Sequence, residues 1–336
     1  MITALAAPAA RRNDWRVQLQ GAYRDAGSLL RALDLAPAEV NLSEAAAAEF
    51  ALLAPVSYVS RMRRRDPQDP LLRQVLPIAA EESRSPVDLL DPVGDLVRTR
   101  APGLIHKYAG RVLLIATGSC AVHCRYCFRR HFPYSEELAA RDDWRAALAL
   151  IAADNSINEV ILSGGDPLSL STAKLRSLTN RLAGIGHIRR LRLHTRWPVV
   201  LPDRVDAELV AWLQSLPWPT TVVIHANHGN EIDVEVRDAC ARLREAGATL
   251  LNQSVLLAGV NDDAAHLQRL SEALFDAGVL PYYLHLLDRV AGAAHFAVPR
   301  ERAQGLIAEL RAQLPGYLVP RLAQEIAGEP SKTIIA

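Results

Sequence analysis

Three cysteines, Cys120, Cys124 and Cys127, fall within eight residues in the segment Gly118-Ser119-Cys120-Ala121-Val122-His123-Cys124-Arg125-Tyr126-Cys127-Phe128. Three thiolates on one tight loop can each take one iron of a [4Fe–4S] cubane, which leaves the fourth iron open to a chelating molecule. Structural zinc is a competing reading, but it asks for four ligands. The fourth cysteine, Cys240, is far away in sequence, and the spacing does not set the direction of His123. Burial of the three thiols as small hydrophobes is the bland alternative. With four cysteines in 336 residues, three of them crowded together, the chain is unsuited to a disulfide framework and to an oxidising compartment.

Other candidates are single polar residues at the ends of apolar runs. They are Gly164, Gly165 and Asp166 in SGGDP, His194 and Arg196 in HTRWP, and His225, Asn227 and His228 in HANHGNE, then Asn252, Gln253 and Ser254 in NQS and Asp288 in LLD. Taken alone, Gly-Gly-Asp-Pro is a turn, and a His or Asn can cap a loop as readily as bind a ligand. Their placement gives them weight. From Arg111 onward, short β-branched or leucine-rich runs alternate with longer amphipathic segments. Strands are predicted over Val112 to Ala116, Glu159 to Ser163, Leu191 to His194, Thr220 to Ile224, Thr249 to Val255 and Tyr282 to Leu286. Helices are predicted near 137–153, 172–184, 203–215, 232–246, 264–277 and 300–313. Six βα units predict an α/β fold, a partial (β/α)6 parallel barrel, although periodicity alone does not separate it from an open doubly wound sheet. All of these candidates fall at a strand's carboxyl end, where such folds gather their chemistry.

Residues 1–100 read as an accessory helical region. NLSEAAAAEFALLAP carries an Asn41 to Glu44 capping-box spacing, and Pro55, Pro67, Pro70, Pro77, Pro86 and Pro92 interrupt the chain beyond it. The expected organisation is 1–100 helical, 101–315 barrel and 316–336 tail. Lys plus Arg, 38, nearly cancels Asp plus Glu, 37, so no overall field gathers nucleic acid or anionic lipid. The basic run Arg61, Arg63, Arg64 and Arg65 reads as a solvated helix face. MITALAAPAARRNDW lacks a leader's apolar core, and no stretch approaches the roughly 18 apolar residues of a membrane span, so a cytoplasmic protein is expected.

CxxxCxxC with an aromatic residue, Tyr126, before the last cysteine resembles the radical S-adenosylmethionine superfamily. The resemblance implies that the open iron binds the methionine amino and carboxylate groups. Reductive cleavage then yields a deoxyadenosyl radical, with Gly164 and Gly165 pairing with the methionine amino group. His194, Arg196, His225, Asn227 and His228 would contact adenosine or the methionine carboxylate. Further stretches, LIHKYAGRVLLIATGSCAVHCRYCFRRHF, VILSGGDPL, VVLPDRV, ANHGNEI, LLNQSVLLAGVND, YYLHLLD and GEPSKT, resemble the lysine 2,3-aminomutase family from about residue 50 onward, and most of all its branch serving translation elongation factor P.

That resemblance implies that Lys332 carries pyridoxal phosphate, where composition alone reads a solvated tail. It places Lys107, Tyr108 and Arg111 near the pyridoxal phosphate, Arg129 on the substrate carboxylate, and Asp288 and Glu325 on the lysine side-chain ammonium. Glu325 stands where the family more usually has Asp. Asn252, Gln253 and Ser254 would face the same mouth. The implied reaction turns (S)-α-lysine into (R)-β-lysine, with an electron donor for the cluster and a functional link to elongation factor P and its β-lysine ligase. Longer members build a zinc tetramer on a carboxyl-terminal cysteine cluster; without one, a monomer or homodimer is expected. The rivals are a radical S-adenosylmethionine enzyme without pyridoxal phosphate or an aminomutase acting on another amino acid, and a zinc-stabilised interaction module using Cys240.

Overall fold

The structure, a computed structural model, describes residues 14–83 and 87–336. Residues 1–13 of the amino-terminal stretch, and Pro86, lie outside the described residues. One ten-stranded sheet runs in chain order and its two edge strands do not pair with each other, so the barrel is open. An antiparallel hairpin, β1 (Thr99–Ala101) and β2 (Leu104–Tyr108), leads into β3 (Arg111–Thr117). Its parallel neighbours are β4 (Glu159–Gly164), β5 (Arg190–Thr195), β6 (Thr220–Ile224), β7 (Thr249–Val255), β8 (Leu280–His285) and β9 (Arg321–Gln324), each pairing with the next. The last strand, β10 (Thr333–Ile334), returns antiparallel along β9.

The amino-terminal region is built from short helices, α1 (Trp15–Gln20), α2 (Ala26–Ala32), α3 (Glu44–Glu49), α4 (Val56–Val59) and α5 (Pro70–Arg73). The predicted capping box is not formed. Asn41 sits at φ 49° in a left-handed turn, and Ser43 caps α3 by accepting from Ala46 N at 2.9 Å. The basic run is a turn, not a helix face. Arg64 and Arg65 are exposed and pair with Asp34, whereas Arg61 is buried and donates to Val199 O at 2.6 Å and Glu231 O at 2.5 Å. Arg61 therefore ties this region to the barrel.

The barrel helices α6 (Arg145–Ala153), α7 (Thr172–Ala183), α8 (Trp197–Val200), α9 (Ala207–Gln214), α10 (Val234–Glu245), α11 (Ala264–Asp276) and α12 (Arg300–Gln313) cover the outside of the sheet. Side chains of Ser171, Asp206, Asp233 and Asp263 accept from the first-turn N–H groups of α7, α9, α10 and α11 and so start them. The predicted helix over 137–153 is shorter, because Asp143 and Trp144 adopt left-handed backbone and α6 begins only at Arg145. Leu175, Leu178 and Leu182 of α7 and Val160 and Leu162 of β4 belong to one apolar core. Each such fully buried leucine contributes about 1.5–3 kcal/mol. The same core takes in Leu29, Leu30, Tyr58, Leu71 and Val75 of the amino-terminal region. Among the described residues no helix is long and apolar enough to cross a membrane.

Candidate active site

A cavity of about 650 Å³ occupies the mouth and interior of the open barrel, and Cys120, Cys124 and Cys127 line it. The loop that carries them leaves β3 and is held from two sides. On the barrel side, Gly165 N donates to Thr117 O at 2.7 Å and Asp166 N to Ser119 O at 2.8 Å. A Cβ on Gly165 would stand 2.5 Å from Ser119 O, so only glycine lets the two backbones meet. On the amino-terminal side, His123 N donates to Leu53 O and Arg125 N to Gln74 O, each at 2.9 Å. Arg125, with 0% of its side chain exposed, is gripped by both carboxylate oxygens of Glu81 at 2.8 and 2.6 Å.

The three cysteines are partly buried and unbridged. Burial pushes the Cys127 thiol up to about 11 and Cys120 well above its ordinary range, so iron binding at this loop would have to displace their protons. Among the described residues no three His, Cys, Asp or Glu side chains converge on a single ion. A cubane asks for no such convergence, since each thiolate takes a different iron. His123 turns its Nδ1 to Ala51 O at 2.7 Å, and Cys240 is buried on α10 among core leucines. The loop therefore fits a cluster and not a four-ligand zinc site.

Beyond the loop, the carboxyl ends of β4, β5 and β6 interlock. Asp166 accepts from Thr195 Oγ1 at 2.7 Å and from Arg196 N at 2.6 Å, and burial raises its carboxyl to about 7. Arg196 donates through Nη1 to Cys124 Sγ and to the Tyr126 hydroxyl, both at 2.7 Å, and through Nη2 to Gln74 Oε1 at 2.7 Å and Glu231 Oε2 at 2.8 Å. Asn227 spans the same layer, donating to the Tyr126 hydroxyl at 2.7 Å and accepting from Val255 N at 2.8 Å. His194 and His225 line the cavity with ring centroids 5.8 Å apart, and each has a buried Nε2 without a partner. Burial lowers both, His225 to about 4, so neutral rings face the cavity.

Two predicted residues do not reach the cavity. His228 caps a short turn, its Nδ1 accepting from Asn230 N at 3.1 Å and its ring beside His266. Asn252 spends its amide on Ala226, accepting at 2.9 Å and donating at 3.1 Å, and so stitches β6 to β7. Gln253 and Ser254 do line the cavity.

The far wall is ionic. Lys332 Nζ lies 2.7 Å from Glu325 Oε2, and Lys107 Nζ lies 2.8 Å from Glu325 Oε1 and 2.5 Å from Asp95 Oδ1. Asp95 in turn binds Arg129 Nε at 2.7 Å, and Arg129 Nη1 reaches Ser163 Oγ at 3.3 Å. Despite the opposing effect of burial, Lys332 and Lys107 hold the Glu325 carboxyl well below its usual range. Desolvation and neighbouring Glu325 push Asp288 up to about 7. Tyr108 carries the Arg111 guanidinium 4.7 Å above its ring, and both line the cavity. The tail delivers Lys332 because β10 pairs with β9, with Thr333 opposite Gln324.

Sequence reasoning missed Asp95, Arg192, Tyr283, His285 and Arg321, all lining this cavity. A signal existed for the strand residues. Arg192 and His194, two apart on β5, and Tyr283 and His285, two apart on β8, interrupt otherwise apolar text with period two, which marks an inward polar face. Asp95 lies in irregular chain and carries no such mark.

An open parallel barrel with a three-cysteine loop at its first carboxyl end defines a radical S-adenosylmethionine enzyme, and residues 114–270 match the family model of the Radical SAM superfamily. That class works with a [4Fe–4S] cluster and S-adenosylmethionine. Over 323 residues the chain is 48% identical to the L-lysine 2,3-aminomutase of Escherichia coli strain K12, covering 96% of this chain and 94% of that one. The enzyme of that name from Haemophilus influenzae is 45% identical, covering 96% of each chain, and that of Clostridium subterminale is 34% identical over 96% of this chain and 77% of its own. The chain belongs to the lysine 2,3-aminomutase family, and it is an isomerase.

Proposed function

We propose that the chain converts (S)-α-lysine into (R)-β-lysine, using a cluster on Cys120, Cys124 and Cys127, S-adenosylmethionine, and pyridoxal phosphate on Lys332. The observation that carries this reading is the amine of Lys332, held 2.7 Å from Glu325 in the same cavity as the three cysteines. Pyridoxal phosphate supplies, when bound, the electron-delocalising ring that lets an amino nitrogen move between adjacent carbons.

The protein's own part is to bind and orient. Gly164 and Gly165 bring backbone to the methionine end of S-adenosylmethionine, with Asp166, Arg196 and Asn227 bracing it. Neutral His194 and His225 offer their orphaned Nε2 atoms to ligand polar groups. Lys107 and Arg111 supply cations, and Tyr108 a hydroxyl, on the phosphate side. Arg129 is positioned by Asp95 for a substrate carboxylate, and Asp288 with Glu325 for the side-chain ammonium. The surrounding barrel excludes water from the radical chemistry.

We assign residues 101–315 to the barrel, with 1–100 as its cover and 316–336 as a cofactor-bearing tail that adds the further parallel strand β9 to the sheet. An oxygen-sensitive cluster suits the cytoplasm, where an electron donor would serve it. The product would go to the β-lysine ligase that modifies elongation factor P. A second reading, a different amino acid as substrate, draws on Glu325, whose carboxylate is already engaged by Lys107 and Lys332.

Borohydride reduction of the holoenzyme followed by peptide mass spectrometry tests the cofactor, and should place the adduct on Lys332. Lys332→Ala should remove the adduct and leave bound iron unchanged. An adduct on another lysine refutes the assignment. Product analysis with lysine and other amino acids decides the substrate, with lysine expected to be turned over fastest.

A further inference from the structure

Arg196 is in contact with a cluster ligand and is itself pinned. Its side chain is 6% exposed, and Nη1 reaches Cys124 Sγ at 2.7 Å while Nη2 is held by Glu231 Oε2 at 2.8 Å. Glu231 is wholly buried, and its other oxygen accepts from Asn227 N at 2.8 Å, His228 N at 3.0 Å and Gln74 Nε2 at 3.2 Å. One sulfur thus faces a fixed positive charge, and a fixed negative charge stands directly behind it.

We propose that Arg196 and Glu231 together set the reduction potential of the cluster, Arg196 raising it through its N–H contact with Cys124 and Glu231 limiting that rise by compensating the guanidinium. The inference rests on assigning the cluster to this loop. Reduction adds one electron from an external one-electron donor and breaks no bond, so the added negative charge is the whole chemical change. A cation hydrogen-bonded to a ligand sulfur stabilises the reduced state more than the oxidised one, and in this enclosed setting the interaction is weakly screened. Gln74, Tyr58 and Tyr126, which also bond Arg196, keep the guanidinium from swinging away.

The test is an anaerobic redox titration of the reconstituted full chain, monitored by electron paramagnetic resonance, after iron analysis of each protein. Arg196→Met should lower the midpoint by at least one tenfold step in the reduction equilibrium, about 59 mV for one electron. Glu231→Gln should move it upward. Opposite signs are the mark of charge tuning, since loosening of the fold has no reason to reverse between the two variants. Unchanged midpoints, or shifts of the same sign, overturn the proposal. If one variant fails to hold iron, the sign of the other decides. If neither does, Arg196→Gln decides, since it removes the charge while keeping a polar side chain: a lowered midpoint supports the proposal and an unchanged one overturns it. A wild-type protein that takes up no iron would overturn the cluster assignment instead, which separates the two failures.

Discussion

Asp288 occupies the cavity wall beside Glu325, and desolvation with that neighbouring charge raises its carboxyl to about 7. An ammonium is bound by the carboxylate and not by the acid, while a lysine side chain stays charged up to about pH 10. Affinity for lysine should therefore strengthen as pH rises from about 6 to 8, and Asp288→Asn should flatten the profile as well as weaken binding. Calorimetric titration of lysine across that range checks it, and an unaltered slope in the variant would count against the role. The sign for stability is opposite. In the unfolded chain the group titrates near 3.9, so between about pH 4 and 7 the folded state holds the extra proton and loses stability as pH rises. Asp288→Asn should remove that decline from the ligand-free protein.

Asp95 is 2% exposed and joins Lys107 to Arg129. Asp95→Asn removes the carboxylate from a buried arginine, which should cost about 3–5 kcal/mol in denaturant unfolding and weaken lysine binding. At this scale the sequence was readable where residue types are rare or crowded. Cys120, Cys124, Cys127, Arg129, Asp288, Glu325 and Lys332 all reach one cavity. It was unreadable where an ordinary residue becomes important through partners distant in sequence. Asp95 is such a case, and so is Glu231, whose partner Arg196 lies at another strand end.

Among the elements, the six βα units were legible because the apolar period changes between strand and helix along each of them, and four of the six helices, α7, α9, α10 and α11, also start on a capping side chain. The hairpin β1–β2 and the pair β9–β10 were not. These strands hold two to five residues, too few to display a period, and their pairing is set by the sheet edges they join. Both hidden pieces bear on the site, since β2 carries Lys107 and the β9–β10 pair presents Glu325 and Lys332. Where the cluster loop meets the end of β4, Gly165→Ala would drive a Cβ to 2.5 Å from Ser119 O, and a carbonyl in the backbone cannot turn aside as a side chain can. Displacing the loop by about an ångström should cut S-adenosylmethionine cleavage on the order of 100-fold and lower bound iron. The tail is held by Ile335 N donating to Leu322 O at 2.8 Å and by packing of Ile335 against the α12 side of the sheet. Ile335→Asp keeps Lys332 but undoes its anchor. It should weaken pyridoxal phosphate retention about tenfold, a 1.4 kcal/mol change, with iron content unaffected. Absorbance of the bound cofactor after gel filtration measures the loss.

On the scale of the whole molecule, the change of texture near residue 100 is easily taken for a boundary between parts that could stand alone, yet the packing crosses it. Trp15 meets Trp197 edge to face at 5.0 Å, and Leu29, Leu30, Leu71 and Leu72, each at most 1% exposed, belong to the same core as the barrel strands. The polar ties cross it as well. Arg125 finds its partners in Glu81, Phe50 O and Ala46 O, and Arg196 in Gln74 and Tyr58, all on the amino-terminal side. Removing that side would bare apolar barrel surface and leave two guanidinium groups beside the cluster loop without their acceptors, losses that a domain with a net stability of about 5–15 kcal/mol does not absorb. A fragment of residues 99–336 should therefore lack a cooperative unfolding transition, bind a hydrophobic dye and take up little iron. Co-expression with residues 1–98 should restore a soluble, iron-binding complex, because the deleted contacts are non-covalent. A fragment that unfolds cooperatively on its own and holds a full cluster would show that the amino-terminal helices only decorate a barrel sufficient to itself.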